Sequence, residues 1–533
     1  MRSWLRRTLL LAVLAVTGVG AQVGIAWVRR YDGPPSGVDV PVALALDSSG
    51  YVCVTGWSDG LGTGSDYATV AYGPSGEEKW TARFHRPSGG MVQWDHPKAV
   101  ALDHLGNAVV TGYSYTNVWG NDYATVKYSP AGEQLWVAIW NQSTDKASAI
   151  AVDDSGNCFV TGTAGGLQYA NYATIKYDPE GQEVWGALYD GPANSEDEAH
   201  ALALGDSGCV YVAGHSRDPD TDLDYATVKY SSEGTELWAT RYNGPHDSTD
   251  VPTVLAVDGL GRVYVTGYSY ARECSYDYTT IRYDPDGRES WVARYDGPAG
   301  DQDQATALAV DTAGCVYVTG YSVGTGTGED YATVKYGPDG LALWVARYDG
   351  GFNGFDAATA VAVDDSGNVY VSGYSDGGVT DMDCATIKYD PQGTELWVAR
   401  YDSPHHGADW ASAMAIDDRG GIYITGRSMG TGTYLDYLTI KYAPGASTCE
   451  PSNETDPPHP QTSTFGLCRG LLVIPTPQYS TRQVRYDLLD VAGRTALQLA
   501  PGPNDVGHLS AGVYYVRITS GTQSDVRKLL VVD

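Results

Sequence analysis

Apolar and aromatic residues along this chain come in runs of about six, parted by short polar turns rich in Asp, Pro and Gly. Runs of that length between turn residues predict strands rather than helices. Residues 303–349 show the pattern in full: ATALAV (305–310), VYVTGY (316–321), YATVKY (331–336) and LWVARY (343–348), here called strands a to d. Asp311-Thr312-Ala313-Gly314 turns the chain between a and b, and Gly337-Pro338-Asp339-Gly340 turns it between c and d.

The unit recurs. The residue leading strand c stands at Asp66, Asp122, Asn171, Asp224, Asp277, Asp330, Asp383 and Asp436. The tryptophan of strand d follows at Trp80, Trp136, Trp185, Trp238, Trp291, Trp344 and Trp397, with spacings of 56, 49, 53, 53, 53 and 53 residues. A period of this size built from short strands predicts a β-propeller. Strand a is rich in alanine, as expected of innermost strands crowded round an axis. Strands b, c and d read as near-continuous apolar runs, as expected of sheets covered on both faces by neighbouring blades. The strand d tryptophan is expected between blades.

Counting closes the ring. Of the eight a–b–c sets only seven are followed by a tryptophan strand, and the eighth ends at Tyr442. Trp27-Val28-Arg29-Arg30-Tyr31 matches strand d and has no a, b or c before it. The N-terminal strand is therefore expected to complete the last blade and leave no open edge. The expected fold is all-β: an eight-bladed propeller over 22–442 and a small β-sandwich over 470–533.

The flanks read differently. Residues 1–21 have the form of a secretory signal peptide, with Arg2, Arg6 and Arg7, an apolar stretch from Leu9 to Val16, and Val19-Gly20-Ala21 for cleavage. Residues 443–469 hold five prolines and read as a linker. Strand-like runs return in 470–533 as VRYDLLD, TALQLA, GVYYVRITS and KLLVVD. No run approaches the roughly 20 apolar residues of a membrane span.

Charge and cysteine narrow the function. Lys+Arg is 34 against Asp+Glu 65, a formal charge of −31, which disfavours nucleic acid and anionic membrane as partners. Forty Tyr and fourteen Trp beside five Phe suit half-wet strand surfaces. Cys53, Cys158, Cys209, Cys315 and Cys384 fall at unmatched repeat positions and read as buried free thiols; Cys274 lies in a loop, and Cys449 and Cys468 are the disulfide candidates. No C-x-x-C or His/Cys ligand spacing points to zinc, and no metal site is expected.

The unit VAVDDSGNVYVSGYS…DCATIKYDPQG at 361–393 resembles the bacterial β-propeller repeat called SBBP, and the resemblance extends over 22–442. That family's label implies seven blades, whereas eight are counted here, and it implies a fold but no activity. The tail is similar to the C-terminal sorting domain of the type IX (Por) secretion system, through VIPTP (473–477), LLDVAGR (488–494), LSAGVYYVRI (509–518) and KLLVV (528–532). Members usually carry Pro-Asn-Pro where Thr476 stands between prolines here. This resemblance implies export by the outer-membrane type IX machinery to the medium or cell surface.

Candidate chemistry is sparse. A second ring of aspartates stands eight residues before the turn that follows strand a: Asp39, Asp95, Asp145, Asp197, Asp250, Asp303, Asp356 and Asp409. Together with the strand c aspartates they offer an acidic mouth. Their regular recurrence favours structural hydrogen bonding to turns and neighbouring blades. Asp218, Asp220, Asp222 and Asp224 alternate as calcium ligands do but lack the glycine and closing glutamate of an EF-hand, so a solvated acidic loop is preferred to a calcium site. Gly-x-x-x-Trp resembles the docking motif of eight-bladed quinoprotein dehydrogenases, but no adjacent cysteine pair accompanies it, and it is read as an inter-blade contact. No catalytic set stands out.

The a–b and c–d turns are uniform, while the d–a and b–c loops vary, so the face carrying the latter is the expected binding face. Trp57, Trp94, Trp119, His405, His406 and Trp410 fall on or near it, in blades 1, 2 and 8. They suit stacking on a glycan or on peptide side chains. The preferred function is a secreted or cell-surface binding module. The alternatives are a polysaccharide-acting enzyme and a purely structural surface protein.

Overall fold

The computed structural model describes residues 23–444, except 35, 87–92, 117–119, 167–168, 272–274, 379 and 431–433, and the backbone of seven strands between 466 and 531. The chain forms two compact units, Met1–Ala446 and Ser447–Asp533. The described residues are all-β, and the first unit is an eight-bladed propeller.

Each blade is a four-stranded antiparallel sheet, in sequence order in blades 1 to 7. Blade 6 shows the plan with strands Asp303–Val310, Val316–Val323, Glu329–Tyr336 and Ala342–Tyr348. Blades 1 to 7 span 39–84, 95–140, 146–189, 197–242, 250–295, 303–348 and 356–401. Blade 8 is built from both ends of the unit. Strands Asp409–Ile416, Ile422–Met429 and Leu435–Pro444 are completed by Val23–Tyr31, paired from Val23↔Pro444 to Tyr31↔Tyr437. Closure by the N-terminal strand is thus observed, and strand a of blade 8 packs against strand a of blade 1.

Three repeated contacts bind blade to blade. The tyrosine of strand c is fully buried and donates its hydroxyl to the next blade, as Tyr278 does to Ala332 O at 3.1 Å. That hydroxyl passes over Gly320 of strand b, where an added Cβ would lie 2.0 Å from Gln304 O and 2.9 Å from Tyr278 Oη, so no larger residue fits. The strand d tryptophan lies on the next blade's c–d turn, as Trp291 does on Gly340, and donates Nε1–H to Pro338 O at 3.1 Å. Third, Arg347 of strand d donates to Asp330 at 2.8 Å, to Ser322 Oγ at 2.5 Å and to Tyr295 Oη of the preceding blade at 2.9 Å.

The inter-blade tryptophans are less buried than their repetition suggests. Trp27 and Trp80 are buried, while Trp136, Trp185, Trp238, Trp291, Trp344 and Trp397 are half-exposed. Strand d is the outermost strand, where blades splay apart, so it is not covered on both faces: Leu343 is 57% exposed. Strands b and c are buried almost throughout.

Cys53, Cys158 and Cys384 are buried free thiols; Cys209 and Cys315 are also free but only half-buried, at the ends of a–b turns. Cys274 and Cys449 lie outside the described residues, and Cys468 ends a short strand, Gly466–Cys468, inside the stretch read as a linker. The second unit holds a three-stranded and a four-stranded antiparallel sheet. The signal sequence lies outside the described residues.

Candidate functional site

The repeating carboxylates are structural. Asp303, at the start of strand a, accepts the Gly297 N–H at 2.6 Å, and Asp250 accepts that of Gly244 at 2.5 Å. Asp409 accepts the Ser428 hydroxyl and the Ser403 N–H. Burial pushes the carboxyls of Asp250, Asp303 and Asp409 up to about 6. The strand c carboxylates are held by arginines: Asp66 by Arg83, Asp224 by Arg241, Asp277 by Arg294, Asp330 by Arg347 and Asp383 by Arg400. Blade 3 lacks both partners, with Asn171 in strand c and Leu188 in strand d. Blade 2 has Ile139 in place of the arginine, and its Asp122 pairs with Arg86 from the preceding loop.

The carboxylates of Asp218, Asp222 and Asp224 in the alternating run of blade 4 likewise have partners within the protein. Asp222 meets Arg217 and the Thr249 hydroxyl, Asp224 meets Arg241 and Thr221, and Asp218 caps the Asp220 N–H.

The symmetry breaks at the inner strands, close to the variable face. The second residue of strand a faces one residue of strand b: Val40↔Trp57, His96↔Tyr113, Lys146↔Thr163, Glu198↔His215, Val251↔Tyr268, Gln304↔Tyr321, Ala357↔Tyr374 and Trp410↔Arg427. Two residues further on, at a bulge, blades 5, 6 and 7 place Thr253, Thr306 and Thr359, each bonded to a carbonyl of the next blade's strand a at 2.9, 2.7 and 3.1 Å. Blades 2 and 4 place Lys98 and His200 there instead. The a strands lie side by side round the axis, so these departures share one inner wall.

In blades 1 to 3 they form a ladder. Trp57 stacks on His96 at 5.4 Å and 29°, and His96 stacks on Tyr113 at 5.5 Å and 6°. His96 Nε2 also meets Ser65 Oγ at 3.0 Å. Lys98 Nζ and Lys146 Nζ stand 5.7 and 5.8 Å from the Tyr113 ring. Both lysines are exposed, and neither forms a salt bridge among the described residues, although Lys146 acts at longer range on the Glu198 carboxylate. Partial removal from bulk water, then repulsion from Lys146, lowers the pKa of Lys98; removal from water, then Lys98, lowers that of His96. The strand c lysines differ: Lys335, over the ring of Tyr317 at 4.9 Å, donates to Pro391 O of the next blade at 3.3 Å.

Of the residues singled out in the sequence, Trp57 joins this ladder, and Trp94, 53% exposed against Tyr115, lies two residues before His96. Trp410 lies under the Arg427 guanidinium at 4.2 Å, in the blade that meets blade 1. Trp57 and Trp410 are strand residues rather than loop residues, because the inner strands extend to the rim of the variable face. His405 and His406 are exposed, and His406 Nδ1 pairs with Asp402 at 2.6 Å, so that ring is held locally. Trp119 lies outside the described residues. His96, Lys98, Tyr113, Lys146, Glu198, His200 and His215 were not singled out; their signal was departure from the repeat at two fixed positions.

With this geometry in place, comparison with known proteins bears on the scaffold. Residues 237–271 match the SBBP beta-propeller repeat. The chain carries an SBBP repeat. It is also 26% identical over 386 residues to an uncharacterized WD repeat-containing protein of Acanthamoeba polyphaga mimivirus, a match covering 67% of this chain and 25% of that protein. The chain therefore spans about a quarter of that relative's length. Similar solved structures include the polysaccharide lyase Uly1, 13% identical with a TM-score of 0.41 over 76% of this chain and 90% of that one. A PL25 ulvan lyase bound to -[GlcA(1-4)Rha3S]- is 11% identical, with a TM-score of 0.39 over 73% and 95%.

Proposed function

We propose that the protein is an exported propeller that binds an acidic glycan at the inner wall of its variable face, as a recognition module of the cell surface or medium. The observation that carries this reading is the Trp57–His96–Tyr113 ladder flanked by Lys98 and Lys146, two ammonium groups that close no salt bridge among the described residues of a chain of charge −31. Elsewhere the propeller's repeated cations answer its own carboxylates and carbonyls. Here two exposed cations close no salt bridge, and a carboxylate or sulfate of a sugar chain is the complementary group. Trp57, Trp94 and Trp410 supply apolar faces of the kind that pyranose rings stack on. An array of acidic and neutral glycans probed with the mature chain tests the reading. Binding confined to acidic glycans supports it, and silence on acidic glycans rejects it.

A catalytic reading has one observation in its favour. His96 and Tyr113, parallel at 5.5 Å beside two ammonium groups, are groups able to take and give a proton next to a neutralised carboxylate. Unsaturated product formed from a uronic-acid polymer would establish it. Export rests on the sorting-type motifs of 470–533: a fluorescent protein carrying a signal peptide and this segment should leave the periplasm of a type IX-competent cell, and retention there rejects the assignment.

A further inference from the structure

Blade 4 departs from the repeat at the same two positions as blade 2, and with different chemistry. Glu198 and His200 are carried by strand a, and His215 faces Glu198 from strand b. The bulge between Ala199 and Ala201 holds His200, so both strand a side chains reach the side where His215 stands. One ligand atom from each of the three lies within 4.8 Å of the other two. His200 Nε2 and His215 Nδ1 are 2.8 Å apart, and the rings are tilted by 43° with centroids 4.9 Å apart.

We propose that Glu198, His200 and His215 form a binding site for one divalent first-row transition-metal ion. Two imidazoles and one carboxylate are the donor set such ions take, leaving further positions open to water or ligand. Two nitrogens about 2.1 Å from one metal lie about 3.0 Å apart at a right angle, near the spacing seen here. A neutral imidazole is the ligating form, and burial, followed by neighbouring charge, lowers the pKa of His200 to about 3 and that of His215 to about 4. Burial, then Glu196, raises that of Glu198 against the opposing pull of Lys146. His215 is 6% exposed and its Nε2 has no hydrogen-bond partner, so a buried polar atom is left unsatisfied beside the trio. No other blade puts ligating residues at all three positions: blades 5, 6 and 7 carry Val251, Thr253 and Tyr268, then Gln304, Thr306 and Tyr321, then Ala357, Thr359 and Tyr374.

The test uses the full mature chain, stripped with a chelator and titrated with Zn²⁺. The wild type should bind one Zn²⁺ per chain at this site. His200→Thr and His215→Tyr, which restore what neighbouring blades carry, should each weaken that binding at least tenfold while the melting temperature of the metal-free chain stays put. His85→Asn, altering a histidine between Asp66 and Asp95 elsewhere in the propeller, should leave it intact. One equivalent of Cu²⁺ on the unaltered chain should show nitrogen splitting from two imidazoles in its electron paramagnetic resonance spectrum, a readout that needs no variant. Equal Zn²⁺ binding by the His200 and His215 variants, loss confined to the His85 variant, or a Cu²⁺ spectrum without imidazole nitrogens would each overturn the assignment.

Discussion

Trp27 lies on Gly76: a Cβ added to the glycine would come within 2.7 Å of the indole, whose Nε1–H donates to Pro74 O at 3.1 Å. The tryptophan comes from the N-terminal strand of blade 8 and the glycine from the c–d turn of blade 1, so this contact helps to close the ring. Removing residues 22–32 should open the sheet edge of blade 8 and strip the cover from Tyr72 and Tyr423, which the indole meets at 5.9 and 6.0 Å. Thermal melts should show a large loss of stability. A truncated chain that melts with the full one would refute closure by this strand.

The arginine–aspartate pairs that join strands c and d of a blade are expected to matter through the charge left behind when one partner goes. Asp330 is 5% exposed and holds Arg347 at 2.8 Å. Arg347→Leu should cost about 3–5 kcal/mol, the usual result of leaving a buried charge alone. Blade 3 lives with Asn171 and Leu188 at these positions. Adding Asp330→Asn to Arg347→Leu copies it and should recover most of the loss in denaturant melts. If the double variant is as unstable as the single one, the pair contributes more than charge compensation.

Acid should stabilise the propeller before it harms it. Asp250, Asp303 and Asp409 sit near 6 in the fold because burial penalises their charged form, against about 4 in an unfolded chain. The folded state therefore binds protons more tightly. The stability linked to these groups is complete below about pH 4 and lost as pH rises through 6. Each shift corresponds to at most about 3 kcal/mol. Carboxyls lowered by their partners, such as Asp103, Asp258 and Asp364, act in the opposite sense, below pH 4. The melting temperature should thus rise as pH falls from 7.5 to 5, and Asp303→Asn should blunt that rise. A steady fall over the same range would contradict this account of the ring.

The eight blades were legible because each unit states its own strands, and the lone Trp27 strand revealed how they join. The aspartate rings were also legible, since a residue repeated in every blade answers the symmetry of the fold rather than a ligand. Burial of strand d was not, because Trp291 and Trp80 occupy the same repeat position and differ only in how their neighbours cover them. The inner-wall residues escaped notice for another reason. His96, Lys98 and Tyr113 look unremarkable in their strands, and Glu198, His200 and His215 show no ligand spacing along the chain. Strand pairing and a bulge bring them together.

We propose that the broken symmetry at the inner wall is a binding site for an acidic glycan. Calorimetric titration of the mature chain with a uronic-acid oligosaccharide, beside a neutral one of equal length, tests it most directly. The acidic oligosaccharide should bind and the neutral one should not. Lys98→Gln with Lys146→Gln should weaken binding at least tenfold, about 1.4 kcal/mol, without moving the melting temperature, because both side chains are exposed. Equal binding of the neutral sugar, or full affinity in the double variant, would contradict the claim.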